Sequence, residues 1–145
     1  ASPWTLVQGV LAPLQFVVCA VSAVLVLRTL WTGDGLGAAQ ISFVVKTLLL
    51  YTIMVTGSVW EKVVFGRWLF APAFFWEDVV SMVVIALHLA CLVAMATGWL
   101  DARAQMLLVL AAYAAYVINA VQFVLKLRAA RRHEGRAVAA AGVAA

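Results

Sequence analysis

The stretch WEKVVFGRWLFAPAFFWED, Trp60 to Asp78, decides how the whole chain reads. It gathers three carboxylates (Glu61, Glu77, Asp78), two cations (Lys62, Arg67) and many aromatic rings in an otherwise very apolar sequence. Gly66 and Pro72 bracket a short connection. Glycine suits the residue just past a helix, and proline suits the first turn of the next one. A long apolar run lies on either side. The stretch therefore reads as the hairpin between two membrane-spanning helices, with Glu61 and Glu77/Asp78 at the same depth on antiparallel neighbours.

Composition points to a membrane as the solvent. Of 145 residues, 67% are hydrophobic and 11% charged, too little polar surface to cover a soluble domain of this size. Four apolar runs, about 4–30, 39–65, 72–99 and 104–127, each approach the roughly 20 residues needed to cross hydrocarbon. The expected fold is all-α: an integral membrane four-helix up-down-up-down bundle in residues 1–128, followed by a basic tail at 129–145 expected to be disordered. The first run lacks a basic n-region and exceeds a signal peptide's apolar segment, so it is expected to remain a span. The net charge of +4 gathers at the C-terminal end and bears on topology and lipid headgroups rather than nucleic acid. Cys19 and Cys91 sit singly in apolar runs and are expected to be small buried hydrophobes.

The polar residues inside the runs show which faces turn inward. Gln8, Gln15 and Ser22 recur every seven residues, on one side of a helix. Pro13 is expected to kink that helix. Lys46 lies about two turns into the second run, so it is expected to snorkel to the near surface or pair with Asp34 or Asp101. Glu77, Ser81 and His88 share one face of the third run, and Tyr113, Tyr116, Asn119 and Gln122 are the polar members of the fourth. Four spans leave both termini on the side of the 60–78 hairpin. That side carries Lys62, Arg67, Lys126 and the arginines of the tail, against Arg28 and Arg103 opposite. The positive-inside bias makes it cytoplasmic.

There is no glycine-rich phosphate loop, no HExxH and no nucleophile elbow. A bis-histidine haem site would need a partner for His88, and His133 in the tail is a poor one. What remains is Glu61, Lys62, Arg67, Glu77, Asp78 and His88, and ionisable groups in a membrane bundle are functional candidates by default. Two carboxyls sharing a partly dry site do not both carry full charge, which leaves one acid and one base. The positive end of the third helix suits negative charge on Glu77 and Asp78, so Glu61 is expected to be the acid. A plainer reading pairs Lys62 and Arg67 with the acids at the membrane surface and assigns them no chemistry. Trp60, Trp68, Phe70, Phe74, Phe75 and Trp76 read either as an interfacial belt or as the wall of a large flat ligand. His88 reads as a hydrogen-bonded core residue or as a ligand to a metal carried by a substrate.

The same stretch, continued to Met82, resembles the 3-vinyl bacteriochlorophyllide hydratase family (BchF type). The likeness extends to Trp4–Phe16, Val45–Leu48 and Ala111–Ala120, so it covers nearly the whole chain. The resemblance implies an enzyme that adds water to the C3-vinyl group of a chlorophyllide, giving a 1-hydroxyethyl group. It implies no cofactor, the magnesium being part of the substrate. The implied partners are chlorophyllide or bacteriochlorophyllide and the bilayer, with other pigment-biosynthesis enzymes and a second copy of the chain left open. The implied place is a bacterial inner membrane, cytoplasmic or intracytoplasmic.

Hydration of a vinyl group protonates its terminal carbon and leaves a cation delocalised into the macrocycle, which water then attacks. Glu61 is the expected acid, with Glu77 or Asp78 as base. The macrocycle wants an apolar cleft between helices, walled by Trp60 and Trp76. Its propionate wants Arg67 or Lys62. His88 is a substrate contact on this reading. It lies about 16 Å along the axis from Glu77, too far for it to hold the magnesium while Glu77 reaches the vinyl, so it serves instead as the acid if the vinyl points inward. Two rivals are a non-catalytic tetrapyrrole-binding or scaffold membrane protein and a small transporter subunit.

Overall fold

A computed structural model describes residues 2–144. It contains four long helices: α1 (Pro3–Thr32), α2 (Leu36–Phe65), α3 (Phe75–Thr97) and α4 (Ala102–Ala144), with a single 3-10 turn, Pro72–Phe74, leading into α3. Among the described residues there is no strand. All four helices are long and apolar enough to cross a membrane, and the protein is a multi-pass membrane protein.

The helix ends follow local chemistry. Ser2 Oγ accepts the Trp4 N–H at 3.1 Å, and Pro3 occupies the first turn, where a missing N–H costs nothing. Gly66 closes α2 at φ 78, with its N–H on Lys62 O at 3.0 Å, a left-handed position that penalises any Cβ. Gly33 and Gly98 end α1 and α3 in the same way. The first connection is shorter than the sequence suggests, because α2 already starts at Leu36. The larger difference is at the other end. The sequence reading stops the fourth helix at Leu127 and expects a disordered tail, but α4 runs unbroken to Ala144. Residues 128–144 are dominated by alanine and arginine, strong helix formers, and contain no proline to stop them. Ala145 lies outside the described residues.

Side-chain bonds fix the pairing of the helices. Thr5 meets Trp60, Gln8 meets Thr56 and Ser22 meets Ser42, at 3.0, 2.7 and 2.7 Å. One number falls as the other rises, so α1 and α2 are antiparallel. Glu77 with Lys126, Ser81 with Asn119 and Ala94 with Gln105 give α3 and α4 the same relation. Each hairpin packs closely within itself, whereas α2 and α3 touch along a much looser seam. Outward faces carry Leu6, Val24, Ile41, Leu48, Val83 and Ile118, all exposed and all suited to lipid. Many inward hydroxyls bond the carbonyl one turn back, as Thr47 does with Phe43 O at 2.8 Å, so they enter the apolar bundle already satisfied.

The core is not centred. Buried residues on α1 begin only at Gln15, those on α4 end at Asn119, and α2 has none between Leu50 and Glu61. Buried positions gather from the middle of the bundle toward the end where α1 meets α2, where a cleft of about 260 Å³ opens between Thr29, Leu36, Arg103 and Met106. Toward the α2–α3 connection the helices are only half-buried. Cys19 and Cys91 are free and buried, as expected.

Candidate active site

At the half-buried end, residues 66–74 connect α2 to α3 and have to satisfy their own amides. Ala71 is fully buried, so no water serves its N–H. Pro72 has no N–H and cannot extend a helix backwards. The solution is two carboxyls. The Phe70 N–H donates to Asp78 Oδ2 at 2.9 Å, and the Ala71 N–H donates to Glu61 Oε2 at 3.3 Å. To present its amide, Phe70 takes φ 60, an unusual conformation for a bulky residue. Such strain costs on the order of 1–3 kcal/mol, and a hydrogen bond to a charged group returns about 1.5–3 kcal/mol.

Glu61 and Asp78 are thereby brought together. They are 4% and 2% exposed, and because they accept from the amides of consecutive residues they lie side by side. No cation forms an ion pair with either of them among the described residues. Two carboxyls held this close can share one proton.

The partner expected for Glu61 was Glu77 or Asp78, and the structure divides these neighbours. Glu77 turns to α4, where its Oε1 lies 3.5 Å from Lys126 Nζ. That oxygen is buried and lacks a hydrogen-bond donor of good geometry, so the ion pair is a loose one. Successive helical residues point about 100° apart, which is why only one of the pair can face α2. The main-chain carbonyl of Glu77 takes Asn119 Nδ2 at 2.9 Å, and Ser81 Oγ lies 2.9 Å from both that carbonyl and Asn119 Oδ1. This clamp holds the start of α3 to α4.

The aromatic residues divide too. Trp60 packs edge-on against Phe65 and Phe74, with centroids 5.7 Å apart in both cases, and Phe74 stacks on Phe123 at 5.6 Å. Trp60 Nε1 also donates to Thr5 Oγ1, so this wall ties α1, α2 and α4 to the connection. Trp76 is 69% exposed and faces outward beside Phe75. It belongs to the belt and not, as expected, to an inner wall. Lys62 caps its own helix through Gly66 O at 3.0 Å, and both Lys62 and Arg67 are exposed.

A second polar centre lies deeper, and the expectation for Lys46 was wrong about it. Lys46 neither snorkels nor meets an aspartate. It is wholly buried, with Nζ 3.2 Å from His88 Nε2 and 3.7 Å from the centroid of the Tyr116 ring. His88 Nδ1 is 2.8 Å from Val84 O, which can only accept. Nδ1 therefore carries the hydrogen and Nε2 is the acceptor for Lys46. That lone pair is the one a magnesium would need, so His88 is occupied as it stands. Its ring stacks on Phe43 at 5.5 Å. Ser22 Oγ bridges Ser42 Oγ at 2.7 Å and the Tyr113 hydroxyl at 2.6 Å, so this centre draws on all four helices. A signal for it was present: Ala39, Phe43, Lys46 and Leu50 follow the spacing of a core stripe, with Lys46 inside it. No group of three or more histidine, cysteine or acidic residues among the described ones could hold a metal.

Comparison with known proteins bears on this arrangement. The family model described as 2-vinyl bacteriochlorophyllide hydratase (BCHF) matches residues 1–129. A 2-vinyl bacteriochlorophyllide hydratase of Rhodobacter capsulatus is 67% identical over 131 residues, 90% of this chain and 76% of that protein. The protein of the same name from Cereibacter sphaeroides is 65% identical over 131 residues, 90% of this chain and 81% of its own length. No solved structure matches significantly.

Proposed function

The chain belongs to the 2-vinyl bacteriochlorophyllide hydratase family, and on that premise we propose that the Glu61–Asp78 carboxyl pair carries its reaction. The enzyme is a hydro-lyase acting on the vinyl group of a bacteriochlorophyll precursor. Positions 2 and 3 name the same vinyl-bearing carbon in two numbering conventions for the macrocycle. The observation that supports the pair is the buried placement of Glu61 and Asp78 on the adjacent amides of Ala71 and Phe70, away from any paired cation. Glu61 gives its proton to the terminal vinyl carbon, and the positive charge spreads into the ring. Water attacks the carbon next to the ring and loses a proton to the Asp78 carboxylate. The contact between the two carboxyls returns that proton to Glu61, so the pair is reset with one water consumed and no other reactant. A carboxylate beside the developing cation also lowers the barrier.

The half-buried end receives the macrocycle on this reading, with the Trp60–Phe74 wall beside it. No cofactor takes part, because the magnesium arrives with the chlorophyllide, and the exposed apolar faces take lipid. The membrane is the bacterial inner membrane, cytoplasmic or intracytoplasmic. Both termini lie in the cytoplasm, since Lys62, Arg67 and the arginines of α4 crowd one end.

The test is incubation of purified protein in detergent with chlorophyllide a. Hydration removes the vinyl conjugation, shifts the red absorption band and adds the mass of one water. Glu61→Gln is expected to abolish this while keeping the loop, because the Gln amide oxygen still accepts the Ala71 N–H. Full turnover in E61Q ends the proposal.

A further inference from the structure

Lys46 is a cation without a counter-charge. It is 0% exposed, and no carboxylate among the described residues lies within ion-pair distance of it. Its neighbours are neutral: the acceptor nitrogen of His88 and the faces of Tyr116 and Tyr113, at 3.7 and 5.5 Å. An ammonium has three N–H groups, and one hydrogen bond with two ring faces replaces little of the hydration it gives up. In hydrocarbon a buried, unpaired cation is expensive and marks a site where charge is received.

Two placements say what it receives. Lys46 stands at the inner boundary of the half-buried end, because α2 has no buried residue from Tyr51 to Trp60 and the Glu61–Asp78 pair closes the other end. In addition, Asp78 and His88 are ten residues apart on α3, about 15 Å along the axis, comparable to the length of a tetrapyrrole with its side chains.

We propose that Lys46 binds the carboxylate of the substrate, so that the tetrapyrrole lies along the α2–α3 seam with its vinyl group at Glu61–Asp78 and its propionate buried. This rests on the hydratase reading and deepens it. It also removes the propionate from Arg67 and Lys62, the exposed cations first expected to hold it. The loose α2–α3 seam is where a flat molecule enters with the least loss of packing. Lys46 exchanges a neutral acceptor for a charged one, and the anion is selected because only it compensates the ammonium. A neutral ester of the same pigment leaves the ammonium as it was.

The experiment compares chlorophyllide a with its methyl ester, reading both KM for hydration and equilibrium binding by pigment absorbance. Wild-type protein is expected to favour the acid at least tenfold. K46M should erase the difference by weakening the acid to the level of the ester, K46R should keep a preference, and R67Q should leave it intact. The inference is overturned if the wild type binds acid and ester alike, a result that needs no variant to fold. It is also overturned if folded K46M keeps the preference, or if R67Q abolishes it. A wild type that binds the acid selectively but hydrates neither pigment would sink the hydratase reading and leave the Lys46 anchor standing.

Discussion

The two polar centres of this protein solve the problem of charge in a membrane in opposite ways. At the connection, Glu61 and Asp78 are compensated locally by the amides of Ala71 and Phe70. In the middle, Lys46 is compensated by neutral groups gathered from distant parts of the chain. The first arrangement is self-contained and sits where packing is loose. The second lies deeper, wholly buried at the inner edge of that end, and leaves a charge unmatched. A site that turns over needs the former, since its proton must leave and return. A site that selects an anion needs the latter, since its affinity comes from charge left unmet until the ligand arrives.

The largest effect expected is on chemistry. Glu61→Gln should lower turnover by about 10²–10⁴-fold, the usual contribution of a general acid, with Asp78→Asn close behind. Both should melt near the wild type, because the amides keep the acceptors that Phe70 and Ala71 need. If E61Q and D78N instead unfold the loop while residual folded protein still turns over, the two carboxyls are structural and the contrast fails. The next effect is on stability. His88→Leu removes the only hydrogen bond to the Lys46 ammonium among the described residues and should destabilise by about 1.5–3 kcal/mol. Adding Lys46→Met should restore much of that, since a buried charge replaced by an apolar side chain of similar volume is often neutral or stabilising. A double-mutant cycle in thermal or denaturant unfolding measures the coupling. Additive losses would mean that the pair does not act as a unit.

The same contrast explains what could be read from the sequence. The four spans were legible because apolar runs of this length have one use, and Gly66 and Pro72 placed the hairpin between them. The Glu61–Asp78 centre was visible because its acids lie within one short stretch. Its partner choice was not, because one residue's difference on a helix decides between facing α2 and facing α4, and the start of α3 is set by a 3-10 turn that periodicity does not register. The Lys46 centre was missed because Ser22, Ser42, Lys46, His88, Tyr113 and Tyr116 come from four helices. Distance from the helix end argued for snorkelling, and only the core spacing around Phe43 argued against it. The tail differs from expectation because its alanines favour helix by intrinsic propensity, a signal independent of the apolar pattern that marks the spans.

The wall and the belt give a smaller separation. Trp60→Ala removes contacts to Phe65 and Phe74 and the bond to Thr5. It should lower stability by about 2 kcal/mol, below the roughly 3–5 kcal/mol of a fully buried aromatic truncation because Trp60 is only half-buried. Trp76→Ala, at an outward position, should change it by about 0.5 kcal/mol or less. Equal losses would show that the two tryptophans share one environment.

The smallest expected effect is the most telling, because it sets two neighbours in the chain against each other. Glu77 and Asp78 are both acids in the first turn of α3, both buried, and chemically almost alike. One faces Lys126 across an ion pair of 3.5 Å whose lysine is 44% exposed, a geometry worth about 0.2–1 kcal/mol once screened by solvent. The other touches Glu61. Glu77→Gln should therefore leave hydration within about twofold and stability nearly unchanged, where Asp78→Asn costs at least a hundredfold in turnover by the same general acid–base logic. The measurement is the hydration rate of the two variants beside the wild type at equal pigment occupancy. Equal losses in the two would place Glu77 at the reacting carbon after all, and the carboxyl pair would no longer be the unit that moves the proton.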